Sequence, residues 1–242
     1  MSTAKPISYS AAVAGSTKSN SENDIHHGHE KSQEQQEISP KEPQKRVSSI
    51  KRSPSPSHRP RTQAEEETVY VLTLLTDRRL HERMTALRNQ YFPKRIKKLA
   101  AHLTLFHALP ESRLESNIIP LLKEVTAKTS PFAIKADKPF RLKKGFAVSV
   151  SSRIGGSQAK QIHQALQDGW MKEDFLSEQD AGGCRLHYTL MNKVDNEVDI
   201  SKAYDDLLDH WRSESGTAEG LALWKYDRGF WKWKESFQFG GD

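Results

Sequence analysis

Cysteine is almost missing from this 242-residue chain, in which Cys184 stands alone. A single thiol excludes an intrachain disulfide framework and a cysteine-built zinc site, and it fits a reducing compartment. Long apolar runs are missing too. No stretch reaches the ~18 residues that a membrane-spanning helix needs. The N-terminus lacks the apolar core of a secretory signal, so an intracellular protein, cytoplasmic or nuclear and free of membranes, is expected. Hydrophobic residues make up only 35%, too few for a chain packed along its whole length. Charge is abundant instead: 37 Lys and Arg stand against 31 Asp and Glu, a net +6. Such an excess points to a polyanion such as nucleic acid.

The apolar deficit is local. Residues 1–64 hold eight large apolar residues (Met1, Ile7, Tyr9, Val13, Ile25, Ile38, Val47 and Ile50), and these follow no period. That stretch cannot bury enough surface to offset an ordering cost of roughly 1–2 kcal/mol per residue, so it reads as a disordered, basic Ser/Pro-rich tail. Pro43–Ala64 carries Lys45, Arg46, Lys51, Arg52, Arg59 and Arg61, no acid, and the steps Ser53-Pro54 and Ser55-Pro56. It suits an arm that contacts RNA, a nuclear address, or a target of a regulatory kinase whose phosphates cancel the charge; it equally suits a solvated linker. His26-His27-Gly28-His29 offers imidazoles to a metal, although a few histidines in a polar tract are the commoner case.

From Glu65 the text becomes periodic, and residues 65–242 read as the folded domain. Val69–Leu75 is β-branched and apolar on both faces, as in a buried strand. Leu80, Met84, Leu87 and Tyr91 follow with helical spacing. Ala101–His107 reads as extended, and Leu114–Lys128 as a helix that Pro120 must start or kink. Phe132–Asp137 and Gly145–Ser151 read as strands. Ile162, Leu166 and Trp170 mark a helix, Arg185–Met191 is extended again, and Tyr204, Leu207, Leu208 and Trp211 mark another helix. Leu221–Tyr226 and Phe230–Phe237 read as a hairpin around Asp227-Arg228-Gly229. Strands outnumber helices without alternating with them, which favours an α+β fold with largely antiparallel sheet.

One pattern occurs twice. Ala101–Phe106 reads A-H-L-T-L-F and Leu186–Met191 reads L-H-Y-T-L-M, with the histidines 85 residues apart. Such self-similarity indicates duplicated units. Side chains on a strand alternate faces. His102, Thr104 and Phe106 therefore share one face of the first copy, and His187, Thr189 and Met191 one face of the second. If a pseudo-twofold axis relates the copies, two imidazoles and two hydroxyls meet across a cleft. That set suits phosphodiester chemistry. A neutral His removes a proton from the attacking oxygen and a protonated one donates to the leaving oxygen. Thr hydroxyls donate to non-bridging oxygens, where charge builds in the transition state. No carboxylate or Cys ligand accompanies the pairs, so no catalytic metal and no other cofactor is expected. Phe106 is a candidate to stack on a base or ribose, or else to pack as cleft wall.

At these residues the chain resembles the 2H phosphoesterase superfamily, which includes the 2′-5′ RNA ligase-like and cyclic phosphodiesterase proteins. Its mark is a pair of H-x-[ST]-x motifs, matched here by H-L-T-L at His102 and H-Y-T-L at His187. The flanking Phe92-Pro93-Lys94 and Leu109-Pro110 and the closing aromatic hairpin fit as well, so the resemblance runs over about Thr68–Phe239. It implies two pseudo-symmetric lobes of antiparallel sheet, helices on the outer faces, a central cleft and no metal requirement. It implies His102 and His187 as acid and base, and Thr104 and Thr189 as phosphate ligands. The implied substrates are RNA ends or nucleotides with a cyclic or 2′-linked phosphate, hydrolysed or ligated; separately, a monomer is expected. Other readings remain open. One is an RNA-binding module of the same fold that has lost turnover; another is an interaction protein whose Ser-Pro tail is the working part.

The remaining candidates weigh less. The hairpin interleaves Trp224, Tyr226, Trp231 and Trp233 with Lys225, Arg228, Lys232 and Lys234. Aromatics with basic neighbours can stack bases, but alternation also explains them as a buried aromatic face and a solvated lysine face. His107 points away from His102 and reads as structural. His163 has no second ligand nearby in sequence, and Cys184 reads as a packed or surface thiol.

Overall fold

In the computed structural model residues 59–61, 68–96 and 98–241 are described. They hold seven strands and four α-helices. In chain order these are β1 (Val69–Thr76), α1 (Arg78–Tyr91), β2 (Leu103–Pro110), α2 (Ile119–Ala127), β3 (Phe132–Leu142), β4 (Gly145–Val150), α3 (Ser157–Met171), β5 (His187–Met191), α4 (Glu197–His210), β6 (Glu214–Asp227) and β7 (Phe230–Gln238). Most of the expected tail, residues 1–58 and 62–64, lies outside the described residues.

Every strand pairing is antiparallel, and all seven strands join in one open sheet of order β2-β1-β6-β3-β4-β5, with β7 also on β6. The expected α+β architecture is present, and β6 ties its two halves together. Along one edge β6 pairs with β1, from Ala218 to Lys225. Along the other its first part, Glu214–Ala218, pairs with β3, and its second part, Gly220–Asp227, pairs with β7. The sheet branches there into a half carrying β2 and a half carrying β5.

The elements follow from local chemistry. The stripe Leu80, Met84 and Leu87 buries one face of α1, and each such side chain is worth about 1.5–3 kcal/mol on burial. Asp77 caps that helix. Its Oδ1 accepts from Leu80 N–H at 3.0 Å, and its Oδ2 accepts from Thr217 N–H on β6. Gly216 beside it has to be glycine, because a Cβ there would lie 2.3 Å from Asp77 Oδ2. Pro120 stands in the first turn of α2, where its missing N–H costs nothing. The β6–β7 turn places Arg228 at φ 50° and Gly229 at φ 89°, the paired positive φ of a type I′ hairpin. One core spans both halves, from Leu72 and Leu103 through Phe146 and Tyr188 to Leu223. No helix among the described residues is long and apolar enough to cross a membrane.

Candidate functional site

The two repeats lie at corresponding places, one in each half. Thr104 on β2 stands opposite Thr73 on β1, and Thr73 opposite Ala222 on β6. Opposed residues share a face, so Thr104, Thr73 and Ala222 line one side of the sheet. In the second repeat His187 stands opposite Ser149 of β4, and Thr189 opposite Ala147. His102, Thr104, His187 and Thr189 are all half-buried, whereas Leu103, Leu105, Tyr188 and Leu190 between and beside them are buried. The alternation read from sequence therefore holds from each His to the Leu after its Thr, and it fails one residue later in both copies: register steps turn Phe106 and Met191 to the opposite face.

Each imidazole is anchored in the same way. His102 Nδ1 lies 2.8 Å from the Ala100 carbonyl oxygen, and His187 Nδ1 lies 2.7 Å from that of Arg185. In both, the acceptor is two residues upstream. A carbonyl only accepts, so each Nδ1 carries a proton and donates it. That fixes the tautomer and leaves both Nε2 atoms for proton transfer.

Arg88 of α1, which sequence reasoning passed over, connects the motifs. It is 5% exposed. Its Nε donates to the Leu99 carbonyl at 3.1 Å and its Nη1 donates to the carbonyl of Thr189, while the guanidinium carbon sits 3.9 Å over the Phe92 ring. One side chain thus bonds the approach to the first motif and the backbone of the second. Among the described residues it has no carboxylate partner, and burial lowers its pKa to about 10. The cation also acts on its neighbour. Burial first, and then repulsion from Arg88, push His102 down to about 3; His107 and His187 add smaller repulsions, and the Ala100 hydrogen bond opposes them. His102 is therefore neutral at physiological pH.

Phe106 does not share the face of His102 and Thr104. The β1–β2 register steps from Thr73↔Thr104 to Leu72↔Phe106, so Leu105 is an extra residue on β2. This bulge turns Phe106 to the opposite face, where it is 0% exposed, stacked 4.5 Å from His163 of α3 and edge-on to Trp170. It is a core residue. The ring that does stand against His102 is Trp231 of β7, with centroids 4.4 Å apart. A cavity opens beside His102, lined also by Thr73, Lys98, Tyr188, Trp224, Phe230 and Trp231.

The other candidates are structural. Asp180, 2% exposed, accepts from the backbone N–H groups of His107 and Ala108, which clamps the loop before β5 onto β2. Burial raises the Cys184 thiol to about 11, so it is no thiolate nucleophile. No group of three His, Cys, Asp or Glu among the described residues is placed to hold a metal ion.

A family model described as the 2′-5′ RNA ligase superfamily matches residues 76–230, an interval that contains both motifs. A crystal structure described as a phosphoesterase is 13% identical, covers 72% of this chain and 99% of its own, and superposes with a TM-score of 0.50. The protein TT0787 of Thermus thermophilus is 14% identical over 73% of this chain and 100% of its own, with a TM-score of 0.48. Escherichia coli LigT complexed with 3′-AMP is 12% identical over 72% and 99%, with a TM-score of 0.49. No curated protein matches in sequence. At these identities the likeness to solved structures is one of fold.

Proposed function

The chain belongs to the 2′-5′ RNA ligase superfamily, and from that premise we propose that it is a metal-independent phosphoesterase acting on a cyclic or 2′-linked phosphodiester of an RNA end or nucleotide. The observation that carries this reading is the identical anchoring of His102 and His187, each with Nδ1 on a carbonyl two residues upstream and Nε2 left for chemistry. Two imidazoles poised alike on duplicated strands suit one base and one acid.

The asymmetry around them supports one division of roles. In this reading His102, beside Arg88 and kept neutral, serves as the base. With a 2′,3′-cyclic phosphate, His102 Nε2 takes a proton from the attacking water. The P–O bond to the new hydroxyl forms as the bond to one ribose oxygen breaks, and His187 Nε2–H protonates that oxygen. Thr104 and Thr189 hydroxyls donate to the non-bridging oxygens as their charge grows. A bound phosphate offsets the field of Arg88, which raises the basicity of His102 toward the range where it works.

The test is a panel of 2′,3′-cyclic nucleotides, a cyclic-phosphate-ended RNA and 2′-5′-linked oligonucleotides, with EDTA present throughout. The reading expects turnover of at least one by the wild type and its loss in His102→Ala. Turnover that appears only with added metal, or survives in His102→Ala, refutes it.

A further inference from the structure

The β6–β7 hairpin has two chemically different faces. Trp224 stands opposite Trp233, and Tyr226 opposite Trp231, so these four rings share one face. It is the face of Thr73 and Thr104: Trp224 donates Nε1–H to Thr73 Oγ1 at 2.9 Å, and Trp231 lies against His102. Leu103, next to His102, stands level with Leu74 and Leu221, whereas Trp231 stands level with Tyr226; in a flat sheet they would be about 14 Å apart across three strand spacings and about 17 Å apart along β6. The 4.4 Å contact between the His102 and Trp231 rings means that the end of the hairpin folds over this face. The aromatic strip therefore begins at His102 and runs outward, ending in Tyr226 and Trp233, which are 43% and 53% exposed.

The lysines occupy the other side, where each has an acid. Lys225 pairs with Glu111, Lys232 with Asp227 and Lys234 with Glu115. The three hairpin lysines are thus engaged on the back face, and the front face offers π-faces. Large exposed rings aligned with a phosphodiester site match the bases of the nucleotides next to the scissile phosphate.

We propose that this strip is a stacking platform for unpaired nucleobases, and that the preferred substrate is a single-stranded oligonucleotide end whose scissile phosphate sits at His102 and His187 while its neighbouring bases lie on Trp231, Tyr226 and Trp233. The inference rests on the phosphoesterase reading of that site. Recognition is by stacking, so it is tolerant of base identity and only weakly dependent on salt, in contrast to binding along a row of phosphates.

Calorimetric titration of the full chain tests it with three RNA probes: a mononucleotide 3′-phosphate, a trinucleotide 3′-phosphate, and the same trinucleotide abasic at its middle position. Stacking of one base predicts a trinucleotide affinity about 5- to 150-fold above the mononucleotide, with most of the gain lost in the abasic probe. Trp233→Ala and Tyr226→Ala reduce the gain, Trp233→Phe retains it, and Lys232→Ala on the back face leaves it unchanged. Equal affinity for the three probes, or a gain that survives both alanine variants, overturns the platform. Cleavage of cyclic phosphates separates the two ideas. Cleavage without a length preference refutes the platform and spares the phosphoesterase; a length preference without cleavage does the reverse.

Discussion

Arg88 sets the state of His102, and its effect is readable in pH dependence. Removing the cation relieves a repulsion, so Arg88→Met raises the His102 pKa and moves the acid limb of kcat/KM to higher pH, while the loss of two carbonyl bonds lowers stability by about 1–3 kcal/mol. An unshifted limb in a folded variant contradicts the coupling. The depressed pKa also shapes stability. Unfolded, His102 takes a proton near 6.5; folded, it resists protonation down to about 3. Its contribution is complete above pH 6.5 and is lost as pH falls through the interval to 3. Denaturant midpoints should rise with pH across that window, less steeply in His102→Asn; His81 and His163, shifted the same way by burial, preserve part of the slope. The His–Thr pairs were legible in the sequence because strand alternation is a nearest-neighbour effect and the same pattern recurs 85 residues on. Arg88 was not, since a helical arginine in L-R-N-Q-Y reads as a solvated charge. Only its burial between two distant carbonyls reveals it.

Among the elements, bulges and pairing partners decide what alternation alone cannot. The extra residue Leu105 sends Phe106 into the core, so Phe106→Ala should cost about 3–5 kcal/mol as a cavity with KM unchanged at a temperature where the variant is folded. A KM rise without destabilisation would restore Phe106 to the cleft. The first half of β6, E-S-G-T-A-E-G, carries no strand signal. It is a strand because β3 pairs Glu214–Ala218, β1 joins from Ala218 on, and Gly216 admits Asp77. Asp77→Ala removes both a helix cap and an acceptor for Thr217 N–H, so a loss of about 1–3 kcal/mol is expected. Calorimetry should register it as a fall in Tm of several degrees. The hairpin was legible from its turn and alternation, but its aromatic face is not buried as one of the two readings held. Its Trp231 lies against His102.

For the whole molecule, the charge that first suggested nucleic acid divides unevenly. Residues 1–64 carry ten Lys and Arg against six acids, and the rest 27 against 25. One of the ten, Arg61, is engaged locally: it donates its N–H to the Phe175 carbonyl at 3.0 Å and pairs with Asp174. A nearly balanced domain with its hairpin lysines paired suits a short phosphate-bearing end more than extended RNA. Long RNA should therefore lose affinity and salt dependence when residues 1–58 are removed, while a trinucleotide should not. Central to the account is that His102 and His187 act together in one step. The direct measurement is kcat on a cyclic-phosphate-ended RNA in EDTA for wild type, His102→Ala, His187→Ala and the double variant. Each single substitution should cost about 10²–10⁴-fold, and the double little more than the worse single, because the two groups serve the same transition state. Either single variant turning over within a few-fold of wild type would contradict it.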